Sequence, residues 1–141
     1  MIHRVIMKVK KIKVSGLEKV AVLHKALADE SRLRILSLMF RFGEICVSDL
    51  EMILDFTQTK TSRHVSYLKN SGVLYQKKHE KWIYYLIKEE YKDIISRVVE
   101  SIELDDLVIR DLENYKIMYA NNSLATRHLH NLQKRYNLPE L

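Results

Sequence analysis

The chain has 141 residues, of which 47% are hydrophobic and 30% are charged, a composition typical of one soluble globular domain with its own core. Its formal net charge of +6 at pH 7 favours an anionic partner such as a nucleic acid. The single cysteine, Cys46, excludes an intrachain disulfide and any site built from several thiolates of one chain.

The sequence shows no sign of export or of membrane insertion. No apolar run approaches the roughly 18 residues of a membrane span, and residues 1–14 lack the apolar stretch and cleavage site of a signal peptide. A cytoplasmic protein without membrane contact is therefore expected. Only three Gly and one Pro interrupt the chain, so helices should dominate and loops should be short.

The chain opens with a basic arm and two apolar helices. Residues 1–16 alternate apolar side chains with Lys and Arg and are expected to form an N-terminal arm. Residues 17–28 and 31–40 repeat apolar side chains at spacings of three and four, which predicts two helices. Residues 29–31 are a polar break that can cap the second helix, and Gly43 suits the left-handed position after its end.

A third, shorter helix follows a very short extended piece, residues 44–47. Ser48 is a candidate N-cap, because Glu51 three residues later completes the pattern of a capping box. The helix itself is predicted to span residues 49–54.

The next helix, residues 57–70, has one apolar edge and one polar, basic edge. Thr57 is placed to cap it, and Thr61, Val65 and Leu68 recur at spacings that put them on one face. Gln, Ser, Arg and Lys are the side chains that contact base edges and phosphates in a DNA major groove. An ordinary solvated surface is the alternative. The candidate DNA-binding residues of this helix are Gln58, Lys60, Ser62, Arg63 and Ser66.

Two strands rich in β-branched and aromatic residues, 73–76 and 82–87, come after this helix. Two short helices, the second one basic, followed by a β-hairpin form a helix-turn-helix with a wing. The segment between the strands, residues 77–81, would be a basic tip on the phosphate backbone or in the adjacent minor groove. Hairpin tips are generally polar, so a tip without a partner is the alternative. The candidate phosphate contacts are Lys77, Lys78 and Lys81.

The remaining chain returns to helical spacing. Apolar residues three and four apart run from Tyr91 to Ile102 and again through residues 104–118, and Ser123 can cap a last helix that ends near Pro139. This is more apolar surface than a small winged domain buries by itself, which favours a homodimer interface. The alternative is that these helices fold back onto their own core.

Four segments, in this order, resemble the ArsR family of winged-helix transcriptional repressors. They are KALADESRLRIL (residues 25–36), GEICVSDL (43–50), TSRHV with the following LK and SG (61–72), and KWIYY (81–85). They look like the family's opening signature, its ELCVCDL segment, its recognition helix and its second wing strand. The resemblance runs over roughly residues 17–87 and implies a dimer that binds a palindromic operator and usually leaves it when an inducer binds.

The sequence departs from this family in the residues that would sense a metal. Members that bind arsenite or soft metals use two cysteines in the segment matching Cys46-Val47-Ser48, whereas here Ser48 replaces the second, and a neutral hydroxyl is a poor soft-metal ligand. Another family site uses Asp and His near one end of the dimer helix and His and Glu near the other, but residues 88–102 contain no His. No metal site is therefore expected.

Cys46 is itself a candidate for redox or other sensing. A lone cysteine is more often a small buried hydrophobe than a reactive thiol. Its predicted place near a helix N-terminus would stabilise a thiolate, which keeps the sensing role open.

The primary hypothesis is a homodimeric, sequence-specific DNA-binding repressor with a mostly α fold and a small β-hairpin. Residues 17–102 would form the winged helix-turn-helix DNA-binding and dimerisation domain, and residues 103–141 a helical extension. Its partner would be a palindromic DNA operator. Three alternatives stay open for the inducer: an unknown small molecule held between the dimer helices, a redox signal at Cys46, or no inducer at all. The alternative is a protein-interaction module that docks through the helices of residues 104–136. No cofactor and no enzymatic activity are expected, since phosphate-binding loops and nucleophile elbows are missing.

Overall fold

The fold combines helices with one small antiparallel sheet. The computed structural model describes residues 14–137 and residue 139, so the predicted N-terminal arm lies outside the described residues except for residues 14–16. A 3-10 turn, Glu89–Tyr91, connects the sheet to the helices that follow. In chain order the elements are α1 (Leu17–Leu27), α2 (Glu30–Phe42), β1 (Ile45–Cys46), α3 (Val47–Leu54), α4 (Gln58–Asn70), β2 (Leu74–His79), β3 (Trp82–Ile87), α5 (Lys92–Ile102), α6 (Asp106–Ala120) and α7 (Ala125–Tyr136).

Helices α3 and α4 with the hairpin β2–β3 form a winged helix-turn-helix, which confirms the predicted fold class. The strands lie in the order β1-β3-β2, and the hairpin pairs from Leu74 opposite Ile87 to His79 opposite Trp82. The extended piece before α3 supplies β1, which pairs with β3 at only two positions. None of the described helices combines the length and the apolar character that crossing a bilayer requires.

The wing has a tighter turn than the sequence predicted. Its strands run up to His79 and start again at Trp82, so only Glu80 and Lys81 form the turn. Glu80 adopts the left-handed conformation, with φ of 54°. Lys77 and Lys78 therefore lie within β2, and their predicted place in the tip between the strands is wrong. The register explains the difference, because the cross-strand pairing continues through both residues.

The predicted caps are right for α4 and wrong for two other helices. Thr57 accepts a hydrogen bond from the Lys60 backbone N–H at 3.1 Å, as expected. Ser48 does not cap α3, because β1 runs directly into this helix and makes Cys46 its first flanking residue. Ser123 does not cap α7 either, since Leu124 is the N-cap residue there and provides no side-chain acceptor.

Helix α2 also starts earlier than its apolar pattern suggested. It begins at Glu30, and the Asp29 side chain accepts a hydrogen bond from the Arg32 backbone N–H at 3.0 Å. The polar break therefore caps the helix through its first residue. Gly43 ends the helix with φ of 84°, in the positive-φ region that was predicted.

The C-terminal helices pack back onto the winged domain of the same chain. Helix α6 lies against α2 and α3, and α7 lies against α3 and β1. The rings of Tyr115 in α6 and Phe42 at the end of α2 stack with their centroids 3.8 Å apart. Of the two explanations for the apolar surface of these helices, folding back onto their own core accounts for α6 and α7.

A buried ion pair joins α6 to α2. Both Asp111 carboxylate oxygens accept hydrogen bonds from the Arg34 guanidinium, at 2.7 and 2.9 Å. The Asp111 side chain is only 2% exposed, and that of Arg34 is 12% exposed. Two parallel charge-assisted hydrogen bonds satisfy a carboxylate that would otherwise be costly to bury.

Removing Asp111 should destabilise the protein strongly, because its loss leaves the Arg34 guanidinium buried without a counter-charge. We expect Asp111→Ala to lower the free energy of unfolding in urea by about 3 kcal/mol. The matched control is Glu103→Ala, which breaks the exposed pair between Arg41 and Glu103 and should cost less than about 1 kcal/mol. Equal losses for the two variants would contradict the importance of burial.

Candidate nucleic-acid interface

Helix α4 buries one face and exposes the other. Its inner face consists of Thr61, His64, Val65 and Leu68, all buried, which fix the rotation of the helix on the domain. Its outer face is polar and carries no acidic residue within Gln58–Asn70. A polyanion therefore meets no repulsive charge along the helix itself.

The candidate residues of α4 form one contiguous surface. Gln58, Arg63 and Ser66 are exposed, and Ser62 is half-buried between them. Positions 58, 62 and 66 follow one another four residues apart, and position 63 lies three before 66, so these side chains are neighbours on the helix. Thr59 is also exposed on this surface, four residues before Arg63, and it was not among the predicted residues although its spacing gave the signal.

Lys60 differs from the other candidates of α4, because its ammonium group packs on an aromatic ring. The nitrogen lies 3.9 Å from the centroid of the Phe56 ring, and the side chain is half-buried. This cation–π contact holds the charge at the N-terminal end of α4. Lys60 is thus placed to add positive potential at that end of the surface.

Arg32, which was not among the predicted residues, anchors α4 to the rest of the domain. Its guanidinium donates to the backbone carbonyls of Ala26 at 2.7 Å and Lys25 at 3.0 Å, which ties it to the end of α1. The same group lies 4.1 Å from the centroid of the Tyr67 ring and 3.4 Å from the His64 Nδ1, both in α4. The only sequence signal for this role was its place in the ArsR-like opening signature.

His64 is an inward-facing residue of α4 rather than part of its outer surface, with 6% of its surface exposed. Burial lowers its pKa from 6.5, the nearby Arg32 lowers it further, and the Asp29 carboxylate partly opposes this shift. The neutral imidazole is therefore favoured in the folded protein. Its Nδ1 can accept from the Arg32 guanidinium only in that form.

The lysines of the wing are exposed but do not share one face. Lys77 pairs with Tyr84 across the hairpin, and Lys78 pairs with Ile83. Paired residues share a face of the sheet and successive residues alternate, so Lys78 lies with the exposed Ile83 and Lys77 with the buried Tyr84. Lys81 lies in the turn, with its nitrogen 5.2 Å from the centroid of the Trp82 ring.

Cys46 is buried at the junction of β1 and α3, with 2% of its surface exposed. Burial, and then the nearby Asp49 carboxylate, raise the pKa of its thiol to about 11. Its sulfur lies 3.2 Å from the Ser48 hydroxyl, and Leu129 of α7 covers it. The thiol therefore stays protonated at neutral pH, and thiolate chemistry is disfavoured.

Metal-binding clusters are missing from the part of the chain that the structure describes. Within it, no three His, Cys, Asp or Glu side chains are grouped closely enough to hold an ion.

Comparisons with known proteins agree on the nature of this domain. Residues 29–76 match the family model described as "Bacterial regulatory protein, arsR family". The chain is 40% identical over 78 residues to the arsenical resistance operon repressor of Escherichia coli, a match that covers 55% of this chain and 67% of that protein. It is 36% identical over 84 residues to the HTH-type transcriptional regulator MJ1325 of Methanocaldococcus jannaschii, covering 59% of this chain and 94% of the regulator.

Among solved structures, the fold is similar to the homodimeric winged helix-turn-helix DNA-binding domain of Mb0332 from Mycobacterium bovis. The TM-score is 0.55 at 28% sequence identity, and the match covers 62% of this chain and 83% of the other. The matches to these three proteins therefore leave more than a third of the chain uncovered.

The lowered pKa of His64 makes folding stability depend on pH. The unfolded chain takes up this proton at a higher pH than the folded one. The contribution of His64 to the free energy of unfolding is therefore complete above its unfolded pKa of about 6.5 and is lost as the pH falls from there toward the lower pKa of the folded protein. We expect His64→Gln to reduce the loss of unfolding free energy between pH 7.5 and 5.5. Denaturant titrations at both values measure it, with the exposed His24→Gln as the control. Equal effects of both substitutions would contradict the assignment.

Proposed function

The chain belongs to the ArsR family of winged helix-turn-helix transcriptional regulators, and from this premise we propose that it is a homodimeric, sequence-specific DNA-binding repressor. Helix α4 would enter the major groove, and the wing would contact the adjacent backbone. The observation that carries the proposal is the outer face of α4, which is polar, basic and free of carboxylates on a helix held rigidly by its buried face.

The residues of α4 would divide the work of recognition. Arg63 and Gln58 are exposed side chains with paired hydrogen-bonding groups, and such groups suit bidentate contacts to base edges. Ser62, Ser66 and Lys60 would complete the surface through single hydrogen bonds and phosphate contacts. The anchoring of α4 by Arg32 supports this interpretation, because base recognition needs side chains held in fixed positions.

The wing would add contacts that do not depend on sequence. Lys77, Lys78 and Lys81 are exposed, and ammonium groups bind phosphate as compact point charges. Because Lys77 and Lys78 lie on opposite faces of the hairpin, a backbone along one face would contact one of them together with Lys81.

Dimerisation would place two copies of α4 on one side of the DNA. The similar Mb0332 domain is homodimeric. Helix α1 exposes 92% of Leu17 and 37% of Val22, and in α5 the side chains of Ile94 and Val98 stay half-exposed, so these helices offer apolar surface for a partner. A two-fold dimer with recognition helices about 34 Å apart would select a palindrome with half-sites one turn of B-DNA apart.

The alternative, a protein-interaction module that docks through residues 104–136, is not favoured. Those helices pack against α2, α3 and β1 of their own chain. This packing buries much of the apolar surface through which another protein would have docked. The relatives described above are regulators of transcription, which favours DNA as the partner.

The first test uses the DNA sequence that the purified protein selects from a random pool. We expect Arg63→Ala to weaken binding to that duplex by about 1–3 kcal/mol and to relax the preference at one base pair in each half-site. Fluorescence anisotropy at fixed salt measures the affinity. Arg110→Ala, an exposed arginine of α6, is the control and should bind as the wild type does. Failure of the pool to yield any preferred palindrome would overturn the proposal.

The second test separates the wing from the recognition helix. We expect Lys78→Ala to weaken specific and random duplexes about equally, and to lower the slope of log K against log salt by about 0.9 for each phosphate that the lysine neutralises. Lys116→Ala, at an exposed position of α6, removes the same charge elsewhere and should leave the slope unchanged. Weaker binding to the selected duplex alone would assign Lys78 to base recognition instead.

A further inference from the structure

The N-terminus of the last helix, α7, is capped by a carboxylate from the helix-turn-helix. Asp49 lies in α3 and is 2% exposed. It accepts hydrogen bonds from the Ala125 N–H at 2.9 Å, the Thr126 N–H at 3.0 Å and the Thr126 hydroxyl at 2.7 Å. A helix N-terminus has free N–H groups and a partial positive charge, so Asp49 replaces the local cap that α7 lacks.

Helix α7, held in this way, packs against β1 and the outer part of β3. Its Leu129 is buried with Cys46 of β1 and Tyr84 of β3, and Trp82 packs against the same group. The Tyr84 hydroxyl donates to the Ala125 carbonyl at 3.2 Å.

Two further interactions extend this docking from the start of β1 to the turn of the wing. The His130 Nε2 hydrogen-bonds to the Glu44 carboxylate beside β1. The His128 Nε2 lies 3.9 Å from the Glu80 carboxylate in the wing turn. Helix α7 therefore reaches from the start of β1 to the tip of the hairpin.

The outer part of the wing needs such support, because the main core holds only its base, where Leu74 and Ile87 are buried. An isolated two-stranded hairpin is marginally stable in water. Strand β1 pairs only with Tyr84 and Tyr85, so the outer part of β3, including Trp82, has no third strand beside it. The side chains of α7 and the α7 N-terminus cover that part from one face.

We propose that Asp49 and Thr126 are positioning residues for DNA binding, which act by docking α7 against the wing. Both side chains are buried, with Thr126 0% exposed, so neither can touch DNA directly. Because Thr126 lies at the start of α7, its effect on DNA affinity would pass through α7 to the hairpin and its lysines, whereas Asp49 also lies in α3, which packs against α4. The inference rests on the proposed function for its DNA readout, and it has a second readout that needs no DNA.

The second readout is the fluorescence of Trp82, the only tryptophan in the chain. We expect Thr126→Val, which keeps the shape but removes the hydroxyl donor, to shift its emission to the red and to increase quenching by acrylamide. Thr126→Ser keeps the donor and should behave as the wild type. Asp49→Asn should change the Trp82 emission and quenching more than Thr126→Val does. The reason is that the amide N–H groups of Asn would face the N–H groups of α7. Spectra are taken well below the melting temperature, where circular dichroism shows each variant folded.

With DNA, Thr126→Val should bind the selected duplex more weakly, by at most roughly a hundredfold, the limit set by one charge-assisted hydrogen bond, and Thr126→Ser should restore the affinity. The salt dependence should become shallower, as for Lys78→Ala, because the wing lysines are no longer held. If Thr126 only added stability, its substitution would lower the melting temperature without changing the Trp82 spectrum or the salt slope.

The outcomes distinguish this inference from the proposed function. A Trp82 spectrum that stays unchanged in folded Thr126→Val and Asp49→Asn overturns the docking role, whatever the DNA affinities are. If Asp49→Asn does not fold, the Thr126→Val and Thr126→Ser pair decides the question alone. If the wild type selects no DNA, the proposed function fails, while the fluorescence comparison still tests whether α7 supports the wing.

Discussion

The three hydrogen bonds that Asp49 accepts join two parts of the chain that are far apart in sequence. Asp49 lies in the first helix of the helix-turn-helix, and Ala125 and Thr126 begin the last helix. A buried carboxylate without donors is expensive, and so is a helix N-terminus without an acceptor, so each group needs the other. The position of α7, and with it the cover over β1 and the wing, depends on this pairing.

The recognition helix is held by the same kind of long-range polar contact. Arg32 ties the end of α1 to the ring of Tyr67 and the imidazole of His64, while the apolar face of α4 fixes its rotation. The outer face of α4 is then free to be polar, because it contributes nothing to the core. This division allows the side chains of the outer face to vary without loss of the fold.

The C-terminal helix α7 buries Cys46 and thereby changes the chemistry of its thiol. In the segment that resembles the metal-sensing motif of the family, a helix of the same chain covers the thiol, and burial keeps it protonated. Ser48, in place of a second cysteine, makes a short contact to the sulfur rather than a helix cap. This region is thus built as a packing junction between β1, α3 and α7.

The sequence by itself determined the features that depend on neighbours a few residues away. The period of Thr61, Val65 and Leu68 identified the buried face of α4, and Thr57 capped it through the Lys60 N–H, because both effects act within one turn of helix. Only the tertiary structure decided the start of α7 and the place of Lys77 and Lys78. Ser123 had the right local chemistry for a cap, but a carboxylate more than 70 residues away took that role, and the pairing of β2 with β3 extended the strands past the polar residues. Such contacts join residues that are distant in sequence, so no local pattern of side chains records them.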